Sequence, residues 1–173
     1  IGVVASDGTI VDRARIATPA HGDGDAMFDA VTLLADEVCA RVPMAPDVVG
    51  VGTGGPMTRG GRTVSPVNIP AWRGFPLLDR LQARFDAPIA IDNDAKALAL
   101  AEGWLGAARG VDDYVAMVVS TGVGGGIVLD GRLLDGADAN AGHVGHIIVE
   151  PDGHRCGCGA RGCLEAEASG TAI

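Results

Sequence analysis

Pro88-Ile89-Ala90-Ile91-Asp92-Asn93-Asp94-Ala95-Lys96-Ala97-Leu98-Ala99 decides the fold class. Pro88 to Ile91 is short, apolar and rich in β-branched residues, which reads as a buried strand. Three polar residues follow, and Asp94 to Ala107 is rich in Ala, the strongest helix former. A buried strand passing straight into a helix is the unit from which α/β folds are built. Working outward, the pattern repeats. Pro46 to Gly52 is a strand entering the glycine-rich turn Thr53-Gly54-Gly55-Pro56, and strands that end in glycines are where open α/β sheets place ligands. Met27, Phe28, Val31, Leu34 and Val38 have helical spacing within Asp25 to Arg41. Phe75 to Phe85 is a helix with Pro76 in its first turn. At the start, Ile1 to Ala5 and Thr9 to Val11 flank Asp7-Gly8, a hairpin signal. Tyr114 to Val119 and Gly126 to Leu129 are apolar strands. The order strand, strand, helix, strand, helix, strand, helix, strand, strand predicts α/β with a mixed sheet.

Bulk properties narrow the function classes. The 173 residues include 27 glycines and few aromatics, which suits α/β folds with tight turns. The formal net charge of −9 disfavours direct contact with nucleic acid by this segment. Apolar runs are too short and too broken for a membrane span. The N-terminus lacks the basic-then-apolar pattern of a secretion signal, so a cytoplasmic protein is expected. No Met precedes Ile1, and Leu164 to Ile173 reads as the opening of a helix left unfinished.

Three of the four cysteines, Cys156, Cys158 and Cys163, lie within eight residues. Disulfide frameworks spread their cysteines, whereas a cluster this tight points to a metal. Three thiolates call for zinc and leave one tetrahedral position open. His146 lies beyond a Pro151-Asp152-Gly153 turn that can bring it back, while His154 is cramped, two residues from Cys156. The alternative is three reduced thiols without metal. Cys39, alone in an apolar helix, reads as a small buried hydrophobe.

Three further segments admit two readings each. Asp92-Asn93-Asp94 supplies an N-cap, yet one cap needs one residue, and a carboxylate at a strand's end is also a good place for a general base. Ser120-Thr121-Gly122-Val123-Gly124-Gly125-Gly126 is either a mobile hairpin turn or a loop whose N–H groups cradle phosphate. His143 and His146, three apart, are surface residues or contacts to a ligand. Asp135 to Cys163 is nearly all loop, and loops of that length are usually functional.

Taken together and in this order, these segments resemble the ROK family (repressor, open reading frame, kinase) along the whole chain. His143 to His146 with Cys156-Gly157-Cys158-Gly159 and Gly162-Cys163-Leu164-Glu165 is similar to its zinc signature. Asn93-Asp94 resembles its catalytic pair, Ser120 to Gly126 its second phosphate loop, and Gly54-Gly55-Pro56 with Asn68 to Trp72 its sugar-side loops. The resemblance implies an actin-like ATPase (ribonuclease H-like) fold, with two α/β domains flanking a cleft. Residues 1–108 would form the first domain and 109–173 the start of the second, with the zinc loop. The family's first phosphate loop would precede Ile1, and its adenosine-binding portion would follow Ile173.

The function implied is ATP-dependent phosphorylation of a hexose or N-acylhexosamine. Asp94 would be the general base. Gly55, Asn68, Asn93, Asp94, His143, His146 and Glu165 would contact the sugar, and Thr121, Gly122 and Gly124 the phosphates. His146, Cys156, Cys158 and Cys163 would hold structural zinc, and Mg²⁺ would come with ATP. A homodimer or higher homo-oligomer is expected. Glucokinase-like members carry Glu where this chain has His143; N-acetylmannosamine kinases of the family carry His. A His accepts one hydrogen bond and donates one, which suits an acetamido carbonyl. The rival reading is a sugar-responsive transcriptional repressor of the same family.

Overall fold

The computed structural model of the chain describes residues 1–18 and 22–173. Two compact units divide it, Ile1–Ile91 and Asp92–Ile173.

In the first unit, β1 (Gly2–Val4) and β2 (Ile10–Arg13) form an antiparallel hairpin. Asp7 and Gly8 close it: Asp7 Oδ1 accepts from Thr9 N–H at 2.9 Å, and Gly8 takes a left-handed φ of 89°. Next come α1 (Gly24–Ala40), β3 (Val49–Thr53), α2 (Leu77–Arg84) and β4 (Ile89–Asn93). Asp23 caps α1 by accepting from Ala26 N–H at 2.9 Å. β3 pairs with β4. The core of this unit is Phe28, Val64, Trp72, Phe75, Leu77, Leu81 and Ile91. Trp72 stacks on Phe75 at 5.0 Å and satisfies its indole N–H on Gly24 O at 3.0 Å. Cys39 is half-buried.

The second unit starts at the end of β4, where α3 (Asp94–Leu105) follows without a linker. Then come β5 (Tyr114–Val119), β6 (Val123–Leu129), β7 (Arg132–Leu133) and α4 (Leu164–Ala168). β5, β6 and β7 form one antiparallel sheet, and α3 packs on β5 and β6. The packing works because both surfaces are shaved. Ala95 and Ala99 are buried on α3, and a Cβ on Gly126 would meet Ala99 Cβ at 2.5 Å and Lys96 Cα at 3.0 Å. α3 therefore sits with this sheet.

Three expectations change. Strand pairing among the described residues divides into three small sheets instead of one mixed sheet. β6 begins at Val123 rather than Gly126, because Gly124, Gly125 and Gly126 pair with Val118, Met117 and Ala116, and Gly124 and Gly126 let α3 approach. The last helix stops at Ala168, since Ser169 turns extended and Gly170 N–H bonds Ser120 O at 2.7 Å. Among the described residues, no helix is long and apolar enough to cross a membrane.

Candidate functional site

The polar triplet after Ile91 divides its work. Asn93 has extended backbone and is the cap of α3: its Oδ1 accepts from Ala95 N–H at 3.0 Å. Asp92 Oδ1 accepts from Asn93 N–H at 2.7 Å and pairs with Lys96 Nζ at 2.9 Å. Asp94 is exposed; one carboxylate oxygen shares the Ala95 N–H at 2.9 Å. Its other oxygen has no hydrogen-bond partner among the described residues.

Thr121 and Gly122 form the turn between β5 and β6, with Ser120 N–H on Gly122 O at 2.8 Å. The turn is braced from α4. Glu165 Oε2 accepts from Val123 N–H at 2.9 Å, and a side chain on Gly122 would collide with that carboxylate. Thr171 Oγ1 donates to Thr121 O at 2.9 Å. Gly124 lies within β6, where a Cβ would reach Ala95 at 3.0 Å. The turn is thus short and held, not a mobile glycine loop.

Residues 134–163 hold the histidines and cysteines, with a single 3₁₀ turn at Val144–His146. Gly145, between the two histidines, does not take a left-handed φ; a side chain there would strike Val123, so it serves close approach to β6. The rings of His143 and His146 lie nearly parallel, 6.4 Å apart. His143 Nδ1 is 2.7 Å from Asn140 O. A carbonyl can only accept, so Nδ1 carries the proton, and in the neutral ring Nε2 is an acceptor. That revises the idea that His143 offers a donor to an acetamido carbonyl.

His146 Nδ1 and the sulfurs of Cys156, Cys158 and Cys163 all lie within 4.8 Å of one another. The Cys158–Cys163 sulfurs are 3.7 Å apart, and Cys156 Sγ is 3.6 Å from His146 Nδ1. A tetrahedral zinc ion about 2.3 Å from sulfur and about 2.0–2.1 Å from nitrogen has edges of about 3.8 Å and about 3.6 Å. The donor set and its spacing suit such an ion. Gly159 and Gly162 adopt φ of 97° and 68°, which lets the loop wrap. The Ala160 N–H draws the exposed Cys158 thiol below its ordinary value, helped by Cys156. Burial pushes Cys163, the most enclosed of the three, up to about 12, and the neighbouring thiols add to this. His154 turns away to pair with Glu167, Nδ1 to Oε2 at 2.9 Å.

In the first unit, Gly55 precedes Pro56 through a cis peptide bond, and Asn68 is exposed. Asn68 Oδ1 lies beside Gly54, 3.7 Å from where a Cβ would sit.

The whole of this chain, residues 1–173, matches the ROK family. It belongs to that family. A glucokinase from Thermotoga maritima is 41% identical over 177 residues, covering 100% of this chain and 54% of the relative. An N-acetylmannosamine kinase from Yersinia pestis is 39% identical over 173 residues, covering 100% of this chain and 58% of the relative. The crystal structure of a ROK family glucokinase from Streptomyces griseus, in complex with glucose and AMPPNP, superposes with a TM-score of 0.85 at 36% identity. That match covers 99% of this chain and 54% of the other. The actin-like α/β fold expected of a ROK member is therefore present, and the chain spans about half the length of the curated relatives it matches. Two residues of the ROK chain's second unit escaped sequence reading: Lys96 and Asp135. The i, i+4 spacing of Asp92 and Lys96 across a helix start was the available signal.

Proposed function

We propose that the protein to which this chain belongs transfers a phosphoryl group from ATP to a hexose or N-acylhexosamine. The observation that carries this reading is Asp94, exposed at the β4–α3 junction with one carboxylate oxygen free of hydrogen-bond partners among the described residues. It stands in a chain whose relatives are named glucokinase and N-acetylmannosamine kinase. Phosphoryl transfer asks a protein mainly for positioning and charge neutralisation. Asp94 accepts the proton of the attacking sugar hydroxyl, and Asn93, already oriented as the helix cap, holds a neighbouring hydroxyl. His143 presents Nε2 and His146 keeps Nε2 free when Nδ1 faces the cysteines, so both contribute hydrogen bonds to the sugar. Glu165, with one oxygen on Val123 N–H, offers the other. Gly55 and Asn68 are sugar contacts on the family resemblance, and Thr121 and Gly122 in the β5–β6 turn, with Gly124 inside β6, are phosphate contacts on the same resemblance.

Zinc is the ion proposed for His146, Cys156, Cys158 and Cys163. It supplies no bond-making step; its role is to hold residues 143–165 in place. Mg²⁺ arrives with the nucleotide. The test is a coupled ATP assay of the full-length protein on glucose, mannose, N-acetylglucosamine and N-acetylmannosamine. Phosphorylation of one or more sugars is expected; turnover of none would overturn the proposal.

A further inference from the structure

Lys96 is the largest fully buried side chain among the described residues, at 1% exposure. It is a charged residue, and the functional reading above makes no use of it. Its ammonium lies 2.9 Å from Asp92 Oδ1 and 2.5 Å from Asp135 Oδ1, and those two carboxylates belong to different segments, the end of β4 and the loop after β7. Asp92 directly precedes Asn93 and Asp94, and its Oδ1 also holds the Asn93 N–H. Asp135 opens the loop that leads to His143. Its backbone carbonyl accepts from Ala141 N–H at 3.1 Å, and Asn140 O receives the His143 ring at 2.7 Å. One ammonium thus reaches the helix start that carries Asp94 and the loop that aims His143.

Packing does not require a cation here. Ala95 and Ala99 already seat α3 against the glycines of β6, so an apolar side chain at 96 would fill the same space. Burying an ion pair seldom adds stability over well-packed hydrocarbon, and its attested use is to fix a register. Burial opposes the ammonium, but hydrogen bonds to Asp135 and Asp92 outweigh it, and Lys96 is held above its ordinary value. It is therefore charged at every physiological pH, a constant tie.

The geometry points to Lys96 as a positioning residue that sets the distance between the catalytic helix start and the sugar-reading loop. The inference rests on the kinase reading for its kinetic consequences and on the ion-pair geometry for its structural ones. The two can be separated in full-length protein carrying Asp135→Asn, Asp92→Asn or Lys96→Met. Asp135 is half-exposed and Asp92 still pairs with the buried Lys96 ammonium when it is replaced, so no charge is stranded and the variant is expected to fold. Amide hydrogen exchange in residues 134–143 is expected to quicken in Asp135→Asn while the first turn of α3 stays as in the native protein. Sugar KM should rise up to about fivefold with kcat near native, the range for a partly screened pair. Asp92→Asn should lower kcat more than it raises KM, and Lys96→Met should do both. Native exchange in 134–143 for Asp135→Asn overturns the tie whatever the kinetics. Faster exchange with native KM and kcat overturns the positioning role, and so does loss of bound zinc in that variant, which would mark general unfolding. If Lys96→Met fails to fold, Asp135→Asn decides alone. Absence of kinase activity in the native protein defeats the functional proposal, and the exchange comparison still judges the tie.

Discussion

Replacing Asp94 by Asn separates a catalytic carboxylate from a helix cap, because the structure predicts different magnitudes for the two. The capping contact survives the change. Asn keeps a carbonyl oxygen to accept from Ala95 N–H, and Asn93 Oδ1 already accepts the same donor at 3.0 Å. What folding loses is one negative charge in the first turn of an exposed helix end, about 0.3–1 kcal/mol. What catalysis loses is a proton acceptor, a factor of ~10²–10⁴ in rate, or about 2.7–5.4 kcal/mol in the barrier. Sugar affinity should change little, since an amide still hydrogen-bonds a hydroxyl. The assay pairs kcat of the full-length protein with sugar binding by calorimetry and with urea denaturation. A variant that folds and binds but turns over at least a hundredfold more slowly, by the lower bound of ~10², supports the general base. Near-native turnover reduces Asp94 to a supplementary cap, and a stability loss as large as the activity loss refutes the division of labour among Asp92, Asn93 and Asp94.

Metal analysis should find one zinc per chain; His146→Ala should lose it and His154→Ala should keep it, because His154 is engaged with Glu167. Gly126→Ala should destabilise the second unit by about 1–3 kcal/mol in denaturant, since the new methyl would press on Ala99 and Lys96. Glu167 is held below its ordinary value of 4.5 by hydrogen bonds from the His154 side chain and backbone. Its folded-state value is the lower one, so its small contribution is complete above pH 4.5 and fades as pH falls further; His154→Ala should shift acid denaturation slightly upward. His143→Glu adds a carboxylate to the segment that faces β6 and should move kcat/KM toward glucose against N-acetylmannosamine, several-fold for a hydrogen bond of about 0.5–1.5 kcal/mol. An unchanged ratio would show that His143 does not read the sugar.

Local chemistry was legible in the sequence wherever a residue's partner lay nearby in the chain. The Asp7-Gly8 turn, the Asn93 cap and the convergence of His146 with three cysteines all rest on short separations. What escaped depends on distant surfaces. The glycines from 124 to 126 look like loop residues because glycine disfavours strands. They are strand residues because neighbours lie too close for side chains: α3 at Gly124 and Gly126, through Ala95 and Ala99 some 25 to 30 positions away, and Val144 with the Ala116 carbonyl at Gly125. Gly145 is constrained in the same way, by Val123 and not by its own φ. The Lys96–Asp135 pair spans 39 residues and has no periodic signature at all.

These glycines and the cysteine loop solve one problem together. The proposed kinase site would need a carboxylate at a helix start, a tight turn for phosphate and a loop for the sugar close to one another. Bare glycine on β6 lets α3 descend on one side, and Gly142 and Gly145 let the His143–His146 turn descend on the other, against Gly125 and Val123. That leaves β6 a thin wall with little side-chain packing of its own. The missing cohesion has to come from outside the strand. Glu165 reaches it from α4 through Val123 N–H, and Gly170 fastens to Ser120. α4 itself is five residues long, too short to be stable alone, and Cys163 is its N-cap residue. Anchoring Cys163 through a metal would therefore fix the entry to the element that braces the turn. By this reasoning a metal in the cysteine cluster would govern the β5–β6 turn as well as its own loop.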